Sequence, residues 1–475
     1  MLQPIVQLSC DNTARHSLWS DLGQALRDRK RDYTRQPINR SIVLLAIPMI
    51  LELLMESLFA VVDVFWVSRL GSDAVAVVGL TEALMTLVYA LAIGGSLAAT
   101  AVVARRIGEQ DQEGAAQAAG QILLLGIATS ALLGIILAYF AADLLGLMGA
   151  TSSVVALGSD FARLMLGGNV SVFMIFLINA IFRGTGDAVI AMRTLWLANA
   201  LNMVLSPSLI FGWGPMPELG VTGAAVATNI GRGIGILYQV WHLFGDKGRL
   251  CLRARHLRPS PPVLKRILAV AGTGAAQLLV TTTSWVALFK ILALSGSAAL
   301  AGYVIAMRIV NFALLPALGV ANAASTLVGQ NLGASLPDRA ASAVTMATRF
   351  NVVLCALVGA IFVFFSEPLA GLFTTDAQVL SNASRALWIV CLGFPLYAAG
   401  MCLAAAFNGA GDTWTPTRVN FVCFWLGQIP VAWVLARQLT LGPNGVYIAV
   451  LLSFSAVAIW NAYLFRCGRW KIKQL

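Results

Sequence analysis

The stretch from Ser41 to Arg69, SIVLLAIPMILELLMESLFAVVDVFWVSR, is apolar yet carries three carboxylates, Glu52, Glu56 and Asp63. Between Arg40 and Arg69 a helix rising about 1.5 Å per residue covers roughly 43 Å, the depth of a bilayer with its headgroups. The stretch therefore reads as one membrane-crossing helix. At about 100° per residue, Glu56 lies about 40° and Asp63 about 20° around the axis from Glu52, so the three acids share one narrow stripe. A charged side chain at the bilayer centre costs at least about 2.5 kcal/mol, and such groups face a bundle interior or a wet cavity. The expectation is a membrane protein with an acidic, proton- or cation-handling cavity lined by its first helix.

The composition agrees with that reading. Of 475 residues, 59% are hydrophobic and 11% are charged, against about 25% charged in soluble domains. A net charge of +11 sits in short clusters between apolar runs, as in cytoplasmic membrane loops, which argues against nucleic acid as a partner. The seven cysteines form no CxxC pair and the three histidines lie in hydrophilic stretches or at helix ends, so neither a disulfide framework nor a zinc site is expected.

Residues 1–40 mix charges of both signs and lack an apolar h-region, reading as a cytoplasmic tail. Within them Trp19, Leu22 and Leu26, followed by Arg27, Arg29, Lys30 and Arg31, fit either an interfacial helix or an unstructured segment. Eleven further apolar runs follow the first, beginning at about 75–103 and ending at 444–466. Twelve spans put both ends on one side. Most of the 32 lysines and arginines fall in the tails and the even-numbered loops, which makes that side the cytoplasm. The basic, proline-bearing stretch 245–263 is the obvious linker between an N-lobe, 41–244, and a C-lobe, 264–466; 467–475 form a C-terminal tail.

An internal repeat supports this division. Phe182-Arg-Gly-Thr-Gly-Asp187 recurs as Phe407-Asn-Gly-Ala-Gly-Asp412, an offset of 225, and the same offset takes Gly71 to Gly296, Gly108 to Gly333 and Arg193 to Arg418. Six spans per half is even, so the halves enter the membrane in the same direction and are related by an axis along its normal. The predicted fold is an all-α integral membrane protein of twelve transmembrane helices in two six-helix lobes. The acids are not duplicated: the offset takes Asp63 to Leu288 and Glu82 to Met307, and the second half has Lys290 and Arg308 instead.

Gly184-Thr-Gly-Asp187 and Gly409-Ala-Gly-Asp412 match the GxGD pattern of intramembrane aspartyl proteases. Those enzymes need two aspartates meeting inside the bilayer, whereas both copies here fall in connections; glycines that turn the chain and an Asp that caps the next helix explain them better. Asp63 and Glu56 are the expected cation-coupling residues. Glu52, Glu82, Asn202, Ser206, Thr228 and Arg232 form the expected supporting polar network, with Asn199 beside them and Arg232 as partner for one of the acids. Lys290 and Arg308 are expected in a C-lobe cavity. Pro48, on the same helix as the acid stripe, is the expected bend.

The string Ala46-Ile-Pro48 leading to Val62-Asp63-Val-Phe-Trp-Val67 and Leu70-Gly71, with Phe182-Arg-Gly-Thr-Gly-Asp187 and Asn202-Met-Val-Leu-Ser-Pro207, resembles the multidrug and toxic compound extrusion (MATE) family, most closely its DinF-like branch. The likeness spans residues 38–466. It implies a two-lobed antiporter expelling drug-like organic cations in exchange for H⁺ or Na⁺, with Asp63 as the acid of the N-lobe ion site, Pro48 as the bend and Asn202 in the polar network. One departure stands out. The branch commonly has a second aspartate in an N-x-x-x-D-P motif, where this chain has Ser206; Glu56, two turns from Asp63, is the expected substitute, and Na⁺ at Asp63 is the alternative to a proton.

These readings converge on a secondary antiporter of the cell inner membrane, not an enzyme. No cofactor is expected beyond H⁺ or Na⁺ as coupling ion. Its partners are a small organic molecule and membrane lipids, and it is expected to act as a monomer. The alternative is a flippase for a lipid-linked or amphiphilic anionic substrate, for which Lys290, Arg308 and Arg232 speak. An ATP-driven pump lacks its phosphate loop, since no GxxxxGK[ST] occurs.

Overall fold

A computed structural model describes Leu26, residues 32–245 and residues 248–473. The segment around Trp19 and Leu22 lies outside the described residues. Among those described there is no β-strand, and twelve long helices carry the fold. In the first half these are α1 (Ile38–Ser68), α2 (Ser72–Gly108), α3 (Gln112–Tyr139), α4 (Ser152–Thr185, interrupted at Gly168), α5 (Ala188–Phe211) and α6 (Val221–Phe244). In the second they are α7 (Pro261–Ala293), α8 (Ser297–Gly333), α9 (Pro337–Phe364), α10 (Ala377–Cys391 with Phe394–Gly409), α11 (Trp414–Gln438) and α12 (Pro443–Arg466). Ten are long and apolar enough to cross a bilayer, and α10 makes eleven when its two pieces, bent by 56°, count as one span. The exception is α6, whose apolar residues are diluted by Arg232, Gln239, His242 and several glycines.

The offset read in the sequence is also an offset of helices. Helices α2 and α8 both have 37 residues and begin after Gly71 and Gly296, which share a φ of +105° that a residue with a Cβ adopts only under strain. Helices α3 and α9 both have 28 residues and start 225 positions apart. The prolines act differently from one another. Pro395 opens the second piece of α10 at its bend, and Pro430 lies in α11 between two stretches of wider π turns, Phe421–Gln428 and Val434–Gln438. Pro48 is accommodated within an unbroken α1.

Of the two expectations about the repeated GxGD segment, one holds and one changes. Gly186 and Gly411 do turn the chain, with φ of +88° and +79°. The aspartates do not cap through their side chains: Asp187 occupies the N-cap of α5 without a side-chain cap hydrogen bond, and α11 follows Thr413. Asp412 instead accepts a 2.6 Å bond from the Thr415 hydroxyl and faces Lys473 at 3.8 Å. A nearby ammonium and a side-chain hydroxyl compete for its oxygens with the backbone N–H groups a cap would use.

The two halves interlock at the end where α1 and α7 begin. Ile267, Val270 and Ala271, in the first turns of α7, join the core of the first half. Leu44, Leu45 and Met49 of α1 pack with Ala323, Ala324 and Leu327 of α8. Beyond these turns each first helix returns to its own half, Val67 packing with Val77, Phe161 and Ile210, and Leu288 with Tyr303 and Tyr447. The interlocked end is sealed by backbone contact. A Cβ on Gly108 would stand 2.0 Å from the Gln330 carbonyl oxygen, and one on Gly333 would stand 2.1 Å from that of Arg105. Gln330 Nε2 donates to the Gly184 carbonyl at 2.9 Å, Arg105 donates to the Lys473 carbonyl at 3.2 Å, and Arg339 donates to the carbonyls of Tyr33 and Gln36.

Overpacking this seal is expected to cost about 1–3 kcal/mol per site. In thermal unfolding of purified protein, Gly108→Leu and Gly333→Leu should each lower Tm by several degrees, while Gly79→Leu, whose added Cβ meets nothing within 4 Å, should not. Equal shifts at all three positions would show that the close approach carries no stability.

Candidate functional site

The acid stripe of α1 meets α4, α5 and α6, and its members go to different partners. Glu52, only 3% exposed, accepts from Arg183 Nη1 at 2.8 Å and Asn179 Nδ2 at 3.1 Å, while Gln239 donates to Asn179. Glu56 accepts from Asn199 Nδ2 at 2.9 Å and from Arg232 Nη2 at 3.4 Å. Asp63 accepts from the Ser206 hydroxyl at 3.2 Å. Glu56 with Asn199 and Asp63 with Ser206 are both 143 residues apart, because α1 and α5 run side by side in the same direction and seven residues is two turns on each.

A cavity of ≈ 160 Å³ lies against this row, lined by Glu56, Asp63, Glu82, Tyr89, Thr228 and Arg232 among others. Tyr89 and Arg232 line the cavity together, and Asn202 donates to Thr228 at 2.8 Å. Two buried polar atoms here, Arg232 Nη1 and Asn202 Oδ1, have no hydrogen-bond partner among the described residues. Three carboxylates against one guanidinium line this space, and no group of three His, Cys, Asp or Glu among the described residues is arranged to hold a metal ion.

On the other side of α1 a larger cavity, ≈ 750 Å³, separates the lobes. Its wall is formed by Ser57, Ala60, Val61 and Val64 of α1 and by Arg308 and Phe312 of α8, with Phe362 and Phe373. Ala60 and Val64 line both cavities. One helix thickness therefore separates the acidic space from the mainly apolar one. Beyond Asp63, Arg69 stacks over Phe65 and Trp66 at 4.8 and 5.3 Å, and Trp66 contacts Phe211 and Trp213, an aromatic belt of the kind found at membrane interfaces.

The structure thus gathers Asp63, Glu56, Glu82, Thr228 and Arg232 around one cavity, with Asn202 and Ser206 bonded to its lining. Two expectations need correction. Glu52 does not join the cavity, because Arg183 and Asn179 on α4 reach its oxygens first. Lys290 lines neither cavity: it is exposed in the last turn of α7, on the face away from buried Leu288, where an ammonium complements the negative helix end. Arg308 does face the interlobe cavity. Tyr89, Asn179, Arg183 and Gln239 were not anticipated; of these, only Arg183 carried a signal, a guanidinium inside the repeated glycine motif where the second copy has Asn408. The offset takes Glu52 to Gln277 and Glu56 to Thr281, so the second lobe repeats the helices without the charge.

Comparison with known proteins identifies this architecture. The family model described as MatE matches twice, over residues 48–208 and 273–434, repeating the offset of 225. A Thermotoga maritima protein named probable multidrug resistance protein NorM is 26% identical over 434 residues, spanning 91% of this chain and 93% of that protein. A Shewanella oneidensis protein named FAD transporter is 25% identical over 428 residues, spanning 90% and 94%. Among solved structures, an outward-facing conformation of a multidrug resistance MATE family transporter of the MOP superfamily superposes with a TM-score of 0.87 at 28% identity, covering 93% of this chain and 99% of that one. From the double match and the shared fold, the chain belongs to the MatE family and is a membrane transporter, not an enzyme.

Proposed function

We propose that the protein is a secondary antiporter of the cytoplasmic membrane that takes up H⁺ in the N-lobe cavity, principally at Asp63, in exchange for outward passage of a drug-like organic molecule between the lobes. The observation that carries this reading is the imbalance of three carboxylates over one guanidinium in a small cavity whose α1 wall is shared with the interlobe space. Out of bulk water, an uncompensated charge costs several kcal/mol, so binding a cation there is strongly favoured. Asp63 is the natural acceptor. Glu56 already holds Arg232 and Asn199, whereas among the described residues Asp63 has only the Ser206 hydroxyl as hydrogen-bond partner. A hydroxyl donates to a carboxylate and accepts from a carboxylic acid, so the Ser206 contact persists through both states. That supports serine as a workable replacement for the second family aspartate.

At ≈ 160 Å³ the acidic cavity is smaller than the roughly 300–1,000 Å³ of pockets for drug-sized ligands, which supports an ion there and the cargo in the ≈ 750 Å³ space. Neutralising Asp63 alters what α1 gains from facing α5 and α6. Because Ala60 and Val64 belong to both walls, a shift of α1, with Pro48 as its weak point, reshapes the cargo space. Differential affinity of roughly 1–3 kcal/mol between the two states suffices for coupling, and one charge moving inward through the membrane potential contributes about 2.3 kcal/mol per 100 mV. Na⁺ is the second ion reading, favoured by the Ser206 hydroxyl on the Asp63 carboxylate and by Thr81 and Thr228 in the lining of the same cavity. The basic even-numbered loops support a cytoplasmic location for both termini. Relatives named as a probable multidrug resistance protein and a multidrug export protein support a drug-like cargo.

In proteoliposomes carrying norfloxacin, a fluorescent quinolone with both a carboxylate and an amine, efflux should follow a pH gradient imposed without Na⁺, and Asp63→Asn should reduce it by about tenfold or more while norfloxacin binding persists. Efflux driven only by a Na⁺ gradient at uniform pH would favour the sodium reading, and undiminished efflux by Asp63→Asn in both gradients would remove Asp63 from the role. Glu52 should behave differently. Arg183→Gln, which strands a buried carboxylate, is expected to destabilise by about 3–5 kcal/mol, and Glu52→Gln added to it should restore much of the lost Tm and leave pH-driven efflux intact. Loss of efflux with Tm restored would give Glu52 a part in coupling.

A further inference from the structure

We propose that the interlobe cavity takes an amphiphilic organic anion, its apolar body against Phe312, Phe362 and Phe373 and its phosphate, carboxylate or sulfonate on Arg308. This rests on the antiport reading above and names the chemical class of its cargo. Arg308 is the one charged residue lining that cavity among the described residues, and it has no hydrogen-bond or ion-pair partner there. An unpaired guanidinium in an apolar wall offers five donors in a planar fork, matched to the paired oxygens of a phosphate or carboxylate. The surrounding surface is built for a flat or chain-like body: Phe312 and Phe373 are each 57% exposed, and aromatic faces of that size hold rings by stacking and edge contacts.

The sign of the charge separates this space from the one behind α1. The acidic cavity holds Glu56, Asp63 and Glu82, whereas no carboxylate among the described residues lines the interlobe cavity. A cargo with a cationic head finds no counter-charge in the larger space, and one with an anionic head finds Arg308. Ion and cargo occupy different rooms, so they do not compete for one carboxylate; the position of α1 connects them. The acid stripe, which at first sight points to organic cations as cargo, is assigned to the coupling ion instead.

Equilibrium binding to the purified full-length protein in detergent, at fixed pH, tests this with probes that differ mainly in charge. Flavin mononucleotide against riboflavin, and 2-naphthalenesulfonate against 2-naphthol, compare each anion with its neutral counterpart. The anion should bind about tenfold more tightly in at least one pair, as expected for a charge-assisted hydrogen bond. Arg308→Gln should abolish that preference without changing affinity for the neutral partner, and Arg308→Lys should keep part of it, since an ammonium retains the charge and loses the fork. Farnesyl phosphate as competitor distinguishes the source: displacement of the bound anion points to a lipid-linked cargo and its failure to a soluble one, and either result upholds the anionic class. No preference for either anion in the parent protein, or a preference that survives Arg308→Gln, overturns the proposal. Norfloxacin efflux driven by the pH gradient in the absence of any anion preference would sink this inference alone and leave the coupling reading standing.

Discussion

Carboxylates on a membrane helix cannot be left facing hydrocarbon, and the rest of this structure depends on how that constraint is met. Five residues supply the answer for α1. Arg183 and Asn179 take Glu52, Asn199 and Arg232 take Glu56, and Ser206 takes Asp63. Because those partners sit on α4, α5 and α6, satisfying the stripe also orients α1 within the first lobe and fixes which of its faces is left for the gap between lobes. Ser57, Val61 and their neighbours form that remaining face. The acidic cavity and the cargo-sized cavity are two sides of one helix for that reason.

The stripe is unevenly satisfied. Its inner member, Glu52, is clasped by a guanidinium and an amide and is almost wholly buried. Its outer member, Asp63, has a serine. A buried charge pair with good geometry is costly to break, while a carboxylate with a single neutral partner can exchange its charge state at little structural cost. Along about three turns of helix the protein passes from a structural ion pair to a group suited to taking up an ion, with Glu56 between them.

The duplicated halves are held by a different kind of contact. At the end where they begin, α1 and α7 cross into the opposite half, and α2 and α8 approach backbone to backbone at Gly108 and Gly333. Contacts between small residues are close but shed few side chains when they part, since dispersion attraction falls steeply with distance. A seal of this kind is rigid when closed and has no deep interdigitation to undo. The short segments before α1 and after α12 lie across the same seam, Tyr33 and Gln36 under Arg339 and Lys473 under Arg105.

Much of this was legible in the linear order of residues. The helix length of the first span, the stripe of Glu52, Glu56 and Asp63, the offset of 225 and the absence of acids from the second half all follow from periodicity and composition, which are local properties of a chain. Arg232 as a partner for an acid was also foreseeable, since a lone guanidinium in a span needs a counter-charge. What no local rule contains is which partner each acid receives. Glu52 is withdrawn from the cavity by Asn179 and Arg183, which are 127 and 131 residues away, and Lys290 and Arg308, alike in sequence context, end on different faces because α7 and α8 present different sides to the gap. Spacing along one helix gives direction from its own axis; only the packing of twelve helices against one another determines what lies in that direction.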